Sequence, residues 1–254
     1  MTHIYQCTLT LLEPTFFSSR EVSSTYFTEP FIGNYALAYA LNLVQAPYHN
    51  RGEIHYMAHL SQLNERGIYI TPATIQDSPR FAFRQFNAQP DAYWFAFANN
   101  AIVTRPDGAW LEKSGPVWYV HRPGQKRKKI GLENRPQHGR IRTLAIGNVA
   151  VFYVISREPL QLPAYIRLGK FMSKARAVCK AVRGEIVERE EETVPFLLNP
   201  ADLASSHRLI MFDLINVPPT PLVRHATITG RFFALPNRVY LPMDMRFGVA
   251  EATA

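Results

Sequence analysis

Four cations and no acid lie within the fourteen residues AYIRLGKFMSKARA, from Ala164 to Ala177. Arg167, Lys170, Lys174 and Arg176 carry the positive charge that a phosphate chain attracts, while Tyr165 and Phe171 offer rings on which bases stack. The Gly169-Lys170 pair also raises a nucleotide loop as a reading. A Walker loop needs glycine five positions before its Gly-Lys and a serine or threonine directly after it. Those positions hold Ala164 and Phe171. Without the glycine the backbone cannot wrap phosphates, and without the hydroxyl a magnesium ion loses a protein ligand. Phosphate-chain binding is left, beside the plainer reading of a Lys-rich surface turn.

Such residues need an element to hold them. On a helix, Arg167, Lys170 and Lys174 would form one basic face. The preceding LPAYI begins with a proline and is rich in extended formers, so a strand and a turn around Gly169 is the better expectation. Gly169 would then let a backbone approach closely, with Lys170, Lys174 and Arg176 reaching phosphates.

A second cationic group is denser. From His121 to Thr143 the chain holds Arg122, Lys126, Arg127, Lys128, Lys129, Arg135, Arg140 and Arg142 against one acid, Glu133. Outside this arm 20 bases face 19 acids, so nearly all of the net charge of +8 sits in one segment. Gly, Pro and Asn punctuation argues against a helix there. A polyanion site and a solvated loop both explain the composition.

Other chemistries find less support. The eight histidines show no HExxH and no compact ligand set; His55 and His59, four apart, would face together on a helix, but two ligands do not define a metal site. No Ser-centred elbow, no GxGxxG and no acidic pair for two-metal work is present. Cys7 and Cys179 form no zinc pattern, and a secreted disulfide framework would use more cysteines. The longest apolar stretches fall short of the about 20 residues that span a bilayer, and MTHIYQCTLT lacks the features of a signal peptide, so a cytoplasmic chain without a membrane helix is expected.

Along the 254 residues, HIYQCTLTLLE reads as a first strand. Asn34 is placed to cap a helix over YALAYALNLV, and a second helix near YMAHLSQLNERG is expected to stop at Gly67. IYITPA, RFAFRQF, YWFAFAN and PVWYVH read as short strands, and NVAVFYVIS as a buried central one. ARAVCKAV and EIVERE suggest a hairpin hinged at Gly184, with its acidic run either docking a basic partner or lying solvated at an edge. NPADLASS suggests a turn or short helix, and RLIMFDLI, ATITGRFFAL and VYLP the closing strands. Two early helices among many strands make an α+β fold with insertions on a sheet platform.

The succession of IYQCTLTLLEPTFF, EPFIGNYALAYAL, YIRLGKFMSKARA and PPTPL…ATITGRFFALPNRVYLP resembles the Cas-five-type subunit, the Csc-one family, of the type I-D CRISPR effector complex, from Ile4 to about Pro242. The resemblance implies a single RAMP domain over residues 1–254, built on a ferredoxin-like (RRM/RAMP) sheet with elaborations and a basic insertion or thumb at about 121–143. It implies a non-catalytic, RNA-binding Cascade subunit of antiviral defence without cofactor or metal. That subunit grips the 5′ handle of the CRISPR RNA, caps the backbone filament and contacts the large subunit. Positions matching the family's glycine-containing loop are Arg167, Gly169, Lys170, Ser173 and Lys174, with Gly230 and Arg231 as a second candidate. Asn34 and Tyr35 match its helix start. The arm would wedge beside the handle or meet target DNA duplex near its PAM. The rival is a metal-independent endoribonuclease that processes precursor RNA, with His121, His138 or Tyr165 as base and Lys170 steadying the leaving oxygen.

Overall fold

A computed structural model of the chain describes residues 2–22, 25–45, 55–88, 93–96, 101–104, 108–115, 117–130 and 137–248. The chain forms mostly antiparallel β-sheet with two α-helices, in two compact units. The first unit comprises residues 1–21, 27–82 and 142–254, and the second residues 22–26 and 83–141.

The first half of the chain runs through β1 (His3–Leu11), β2 (Arg20–Val22), β3 (Thr25–Phe27), β4 (Phe31–Ile32), α1 (Asn34–Ala40), α2 (Tyr56–Glu65), β5 (Tyr69–Ile70), β6 (Ala73–Ile75), β7 (Phe81–Ala88), β8 (Tyr93–Ala96), β9 (Ala101–Thr104), β10 (Trp110–Ser114), β11 (Val117–His121), β12 (Lys128–Ile130) and β13 (Gln137–Leu144). The second half adds β14 (Val149–Ser156), β15 (Tyr165–Leu168), β16 (Ser173–Val182), β17 (Glu185–Thr193), β18 (Arg208–Ile215), β19 (Leu222–Leu235) and β20 (Val239–Pro242).

The main sheet has the order β15-β16-β1-β14-β6-β4, with β5 also on β14. β14 is its central strand, as VAVFYVIS suggests: β1 lies on one side and β5 and β6 on the other. Alternation decides which face is buried. Cys7, Leu9 and Leu11 of β1 point inward with Phe152 and Val154 of β14 and Ala175 and Ala177 of β16. Against them pack Leu37, Ala38 and Leu41 near α1 and Leu60 and Leu63 of α2. Each fully buried leucine is worth roughly 2 kcal/mol over an exposed one. α2 ends where expected, with Gly67 at φ +63 donating its N–H to the Asn64 carbonyl.

A second sheet of the first unit has the order β17-β19-β18, with β20 also on β19. Its Phe232, Phe233 and Leu235 join the same core. The hairpin expected at Gly184 does not form. β16 pairs with β1 and β15, whereas β17 pairs with β19. Gly184 instead turns the chain from one sheet to the other, and a Cβ there would lie 2.9 Å from the Leu235 side chain and 3.0 Å from Phe233.

Two further differences concern Cys7 and Asn34. Cys7 and Cys179 stand directly opposite each other on β1 and β16 and form a disulfide, their Cα atoms 4.0 Å apart. Their 172-residue separation hid this, because only strand pairing makes them neighbours. Asn34 is no cap: Gly33 holds the extended cap position, and Asn34 is the first residue of α1.

β10, β11 and β12 form a three-stranded sheet in the second unit, and β8 pairs with β9. β2, β3, β13 and β7 form a four-stranded sheet. The longer segment of the second unit, residues 83–141, contains most of the basic arm. Among the described residues no helix is long and apolar enough to cross a membrane.

Candidate nucleic-acid interface

The stretch from Ala164 to Ala177 folds as a strand, a tight turn and a second strand. Tyr165 stands opposite Arg176, and Arg167 opposite Lys174. Residues opposite in an antiparallel pair point to the same side, so these four share one face. The register continues across β1, where Thr10 faces Arg176, Thr8 faces Val178 and Gln6 faces Lys180. The result is an open strip of the main sheet, on the side away from α1 and α2, with exposed cations at every second residue except Val178. The Lys174 Nζ lies 4.7 Å from the centre of the Tyr165 ring, which is 56% exposed. A cation against an exposed aromatic ring suits a phosphate next to a stacked base.

Lys180 joins the strip although it was not expected there, and SKARAVCKAV holds the signal for it. Its exposed and buried residues alternate through Ser173, Lys174, Ala175, Arg176 and Ala177. A period of two puts Lys174, Arg176 and Lys180 on one side.

The turn itself differs from the expectation in one respect. Gly169 has φ +70 and is approached closely, but by the chain's own backbone: a Cβ there would lie 2.4 Å from the Phe16 carbonyl oxygen. The Lys170 N–H donates to that oxygen at 2.9 Å. Phe171 stacks on Phe16, ring centroids 5.3 Å apart, and still leaves its outer side in solvent. Ser173 is buried and donates its hydroxyl to the Pro14 carbonyl at 2.7 Å, so it braces the turn and offers nothing to RNA. Glu13 organises the far side: its carboxylate accepts the Lys174 N–H at 2.7 Å and lies 3.7 Å from Arg167, whose guanidinium also donates to the Met172 carbonyl. Lys170, Lys174, Arg176 and Lys180 remain exposed.

Asn34 and Tyr35 do not reach this surface. They are 2% and 4% exposed, held in a polar knot around Asp202. The Asp202 carboxylate accepts from Asn34 Nδ2 at 2.7 Å, Tyr69 Oη at 3.0 Å and the Gly248 N–H at 2.9 Å. Burial pushes its carboxyl up to about 7 despite those donors, and burial beside this acid raises the Tyr35 phenol to about 12. Sequence matching saw a helix start; tertiary packing turned it inward. Arg231 is exposed but sits on β19, opposite Glu188, in a different sheet from the Gly169 turn. Gly230 lies against the His207 ring, which hydrogen-bonds the Arg231 carbonyl at 2.9 Å.

The family described as type I-D CRISPR-associated protein Cas5/Csc1 matches residues 2–250. The chain belongs to that family. No curated protein matches it. A solved structure titled "Cryo-EM structure of the Type III-B Cmr-beta bound to cognate target RNA and AMPPnP, state 1" aligns over 89% of this chain and 86% of that chain. At 13% identity and a TM-score of 0.41 the likeness is too loose to bear on fold or function.

At the start of the basic arm of this Cas5/Csc1 chain, β11 and β12 form a β-hairpin. Arg122, Lys126 and Arg127 lie in the turn between β11 and β12, and Lys128 and Lys129 on β12; all five are exposed, as is Arg140 on β13. Arg135 lies outside the described residues, as do the surroundings of the His138 side chain. Arg142, expected among the arm's cations, is packed inward. Its guanidinium is held between Phe81 and Phe27, 4.2 and 4.9 Å from their ring centres, and donates to the Thr28 carbonyl. That packing makes it a brace of the first unit instead of an arm cation. His121, the rival's base, is paired with Glu112 at 2.5 Å and stacked on Trp110. His59 accepts or donates to Tyr39 Oη at 2.8 Å, and among the described residues no group of three or more metal-ligating side chains comes together.

Proposed function

We propose that this chain is the RNA-binding, non-catalytic Cas5-type subunit of a type I-D Cascade, and that the open strip of its main sheet grips the 5′ handle of the CRISPR RNA. The observation that carries the reading is the strip itself: Lys174, Arg176 and Lys180 on β16, Lys170 at the turn, and the Tyr165 ring among them. Strand order supports a ferredoxin-like core. Taking β1, β5 with β6, β14 and β16 as its first to fourth strands, the sheet reads 4-1-3-2, with α1 and α2 in the first crossover and β15 with extended chain where a second helix would be. In such sheets the face opposite the helices is the one that holds RNA. The capping of a backbone filament and contact with a large subunit near the PAM follow from the family and belong to this proposal.

The decisive variant is Lys174→Ala, Arg176→Ala, Lys180→Ala in one chain. These are phosphate contacts, so handle RNA binds at least about tenfold more weakly at ~0.15 M salt, whatever its sequence. The slope of log affinity against log salt becomes less negative by about 2, at about 0.7 per contact on a single strand. Melting stays within about a degree, because exposed side chains contribute little to stability. Wild-type affinity and slope in this variant overturn the reading.

The same proposal expects the chain to leave labelled precursor RNA intact. His121 is engaged by Glu112 and Trp110. Discrete fragments that vanish with His121→Ala would establish the endoribonuclease instead.

A further inference from the structure

Trp110 is 54% exposed on β10, in the sheet β10-β11-β12 of the second unit. The register places it opposite His121, with Glu112 opposite Tyr119 and Tyr119 opposite Lys129. These five residues therefore share one face of the sheet. The Trp110 and His121 rings lie parallel, centroids 5.1 Å apart and planes 8° apart. The Arg127 guanidinium sits 4.5 Å from the Tyr119 ring centre. Glu112, the acid of this face, is engaged by His121 and lies 3.7 Å from Arg127. The imidazole backs one side of the indole, and the exposed remainder faces solvent. Arg127 and Lys129 stand beside the rings, Arg122 and Lys126 lie in the adjoining turn, and Lys128 points to the other face; all five are exposed, with no acid from 122 to 130.

From this arrangement we propose that the Trp110 face is a stacking platform for an unpaired base of a single-stranded nucleic acid, with the arm's cations on the flanking phosphates. The inference deepens the function proposed above and rests on the chain's being a nucleic-acid-binding subunit. It assigns the arm a different task from bulk charge. Charge alone holds any polyanion, whereas a free indole selects an unpaired base over a stacked pair, because only the unpaired base has an open ring face. A protein partner would use the same indole, but five exposed cations from 122 to 129 against the one acid Glu112 favour a polyanion. RNA and displaced DNA strands present the same ring face, so the platform itself accepts either.

The test uses the full chain and three fluorescent probes of about 12 units each, oligo-uridine, oligo-thymidine and a DNA duplex, a length within the usual range of single-strand sites. Trp110→Ala weakens at least one single-stranded probe by about fivefold or more, the lower end of one base stack, without changing the salt slope. Trp110→Phe keeps most of the affinity, and duplex binding is unaffected by either change. Which single strand loses more identifies the occupant. Lys129→Ala, on the same face, instead makes the slope less negative by about 0.7. Single-strand affinity unchanged in Trp110→Ala overturns the platform, as does an equal loss on duplex. The strip variant Lys174→Ala, Arg176→Ala, Lys180→Ala runs in parallel. If it alone loses RNA, the platform falls and the sheet reading stands; if Trp110→Ala alone does, the sheet reading falls and the platform stands.

Discussion

Gly169→Val melts roughly 5–15 °C below the wild type in the absence of any RNA, a loss of about 2–4 kcal/mol in a chain of this size. Two costs add. The residue sits at φ +70, where a β-branched side chain is strained, and the new Cβ would lie 2.4 Å from the Phe16 carbonyl oxygen. Relief requires moving the Phe16 backbone, which breaks the Lys170 N–H bond and the Phe16–Phe171 stack. Gly124→Val separates the two costs, because Gly124 has φ +72 with nothing within 4 Å of a Cβ. It should lose only the conformational part, on the order of 1–2 kcal/mol. The composition had suggested that Gly169 makes room for RNA. A Gly169→Val chain that melts like wild type yet fails to bind RNA would restore that idea.

The second large effect is a pH dependence centred on Asp202. Its carboxyl titrates near 7 in the fold against an ordinary value of 3.8, because it is buried. Between those values the folded chain holds a proton that the unfolded chain has released. Stability therefore falls as pH rises from about 4 to about 7 and levels off above, at up to roughly 1.4 kcal/mol per pH unit from this group. Asp202→Asn removes the dependence. It also presents an amide N–H₂ to a site of donors, Asn34 Nδ2 and Tyr69 Oη on one oxygen and the Gly248 N–H on the other, so the variant is weaker than wild type at pH 5. The gap in melting temperature between the two chains should shrink steadily toward pH 8. A gap that stays constant or widens over that range would mean that Asp202 is ionised in the folded protein.

Elements whose signal is local were legible in the residues. VAVFYVIS is apolar up to Ser156 and became the central strand; Gly67 ended α2; the proline and extended formers before Gly169 made a strand and turn, and the described part of the arm is turn and strand, as its Gly and Pro suggest. Charge was legible too, since counting needs no fold: the cations of β16 are exposed, as are Arg122, Lys126, Arg127, Lys128, Lys129 and Arg140 of the arm. The family followed from several motifs in order, a property of sequence alone.

Pairing, by contrast, depends on residues far apart in the chain. ARAVCKAV and EIVERE look like partners because they are adjacent, yet each found a better-matched strand elsewhere, β1 and β19. The same remoteness hid the Cys7–Cys179 bond, and it gave Lys180 its place on the strip with Lys174 and Arg176. Burial is likewise a tertiary outcome. Asn34, Tyr35, Ser173 and Arg142 are residue types at home on an RNA surface, but each has a partner contributed by distant chain, Asp202, Asn199, Pro14 and the pair Phe27 and Phe81. Composition determined that this protein would carry two cationic segments on a β-rich scaffold. Which of those side chains face solvent was decided by long-range strand register and packing, because a polar group goes inward only where the folded chain supplies its partner.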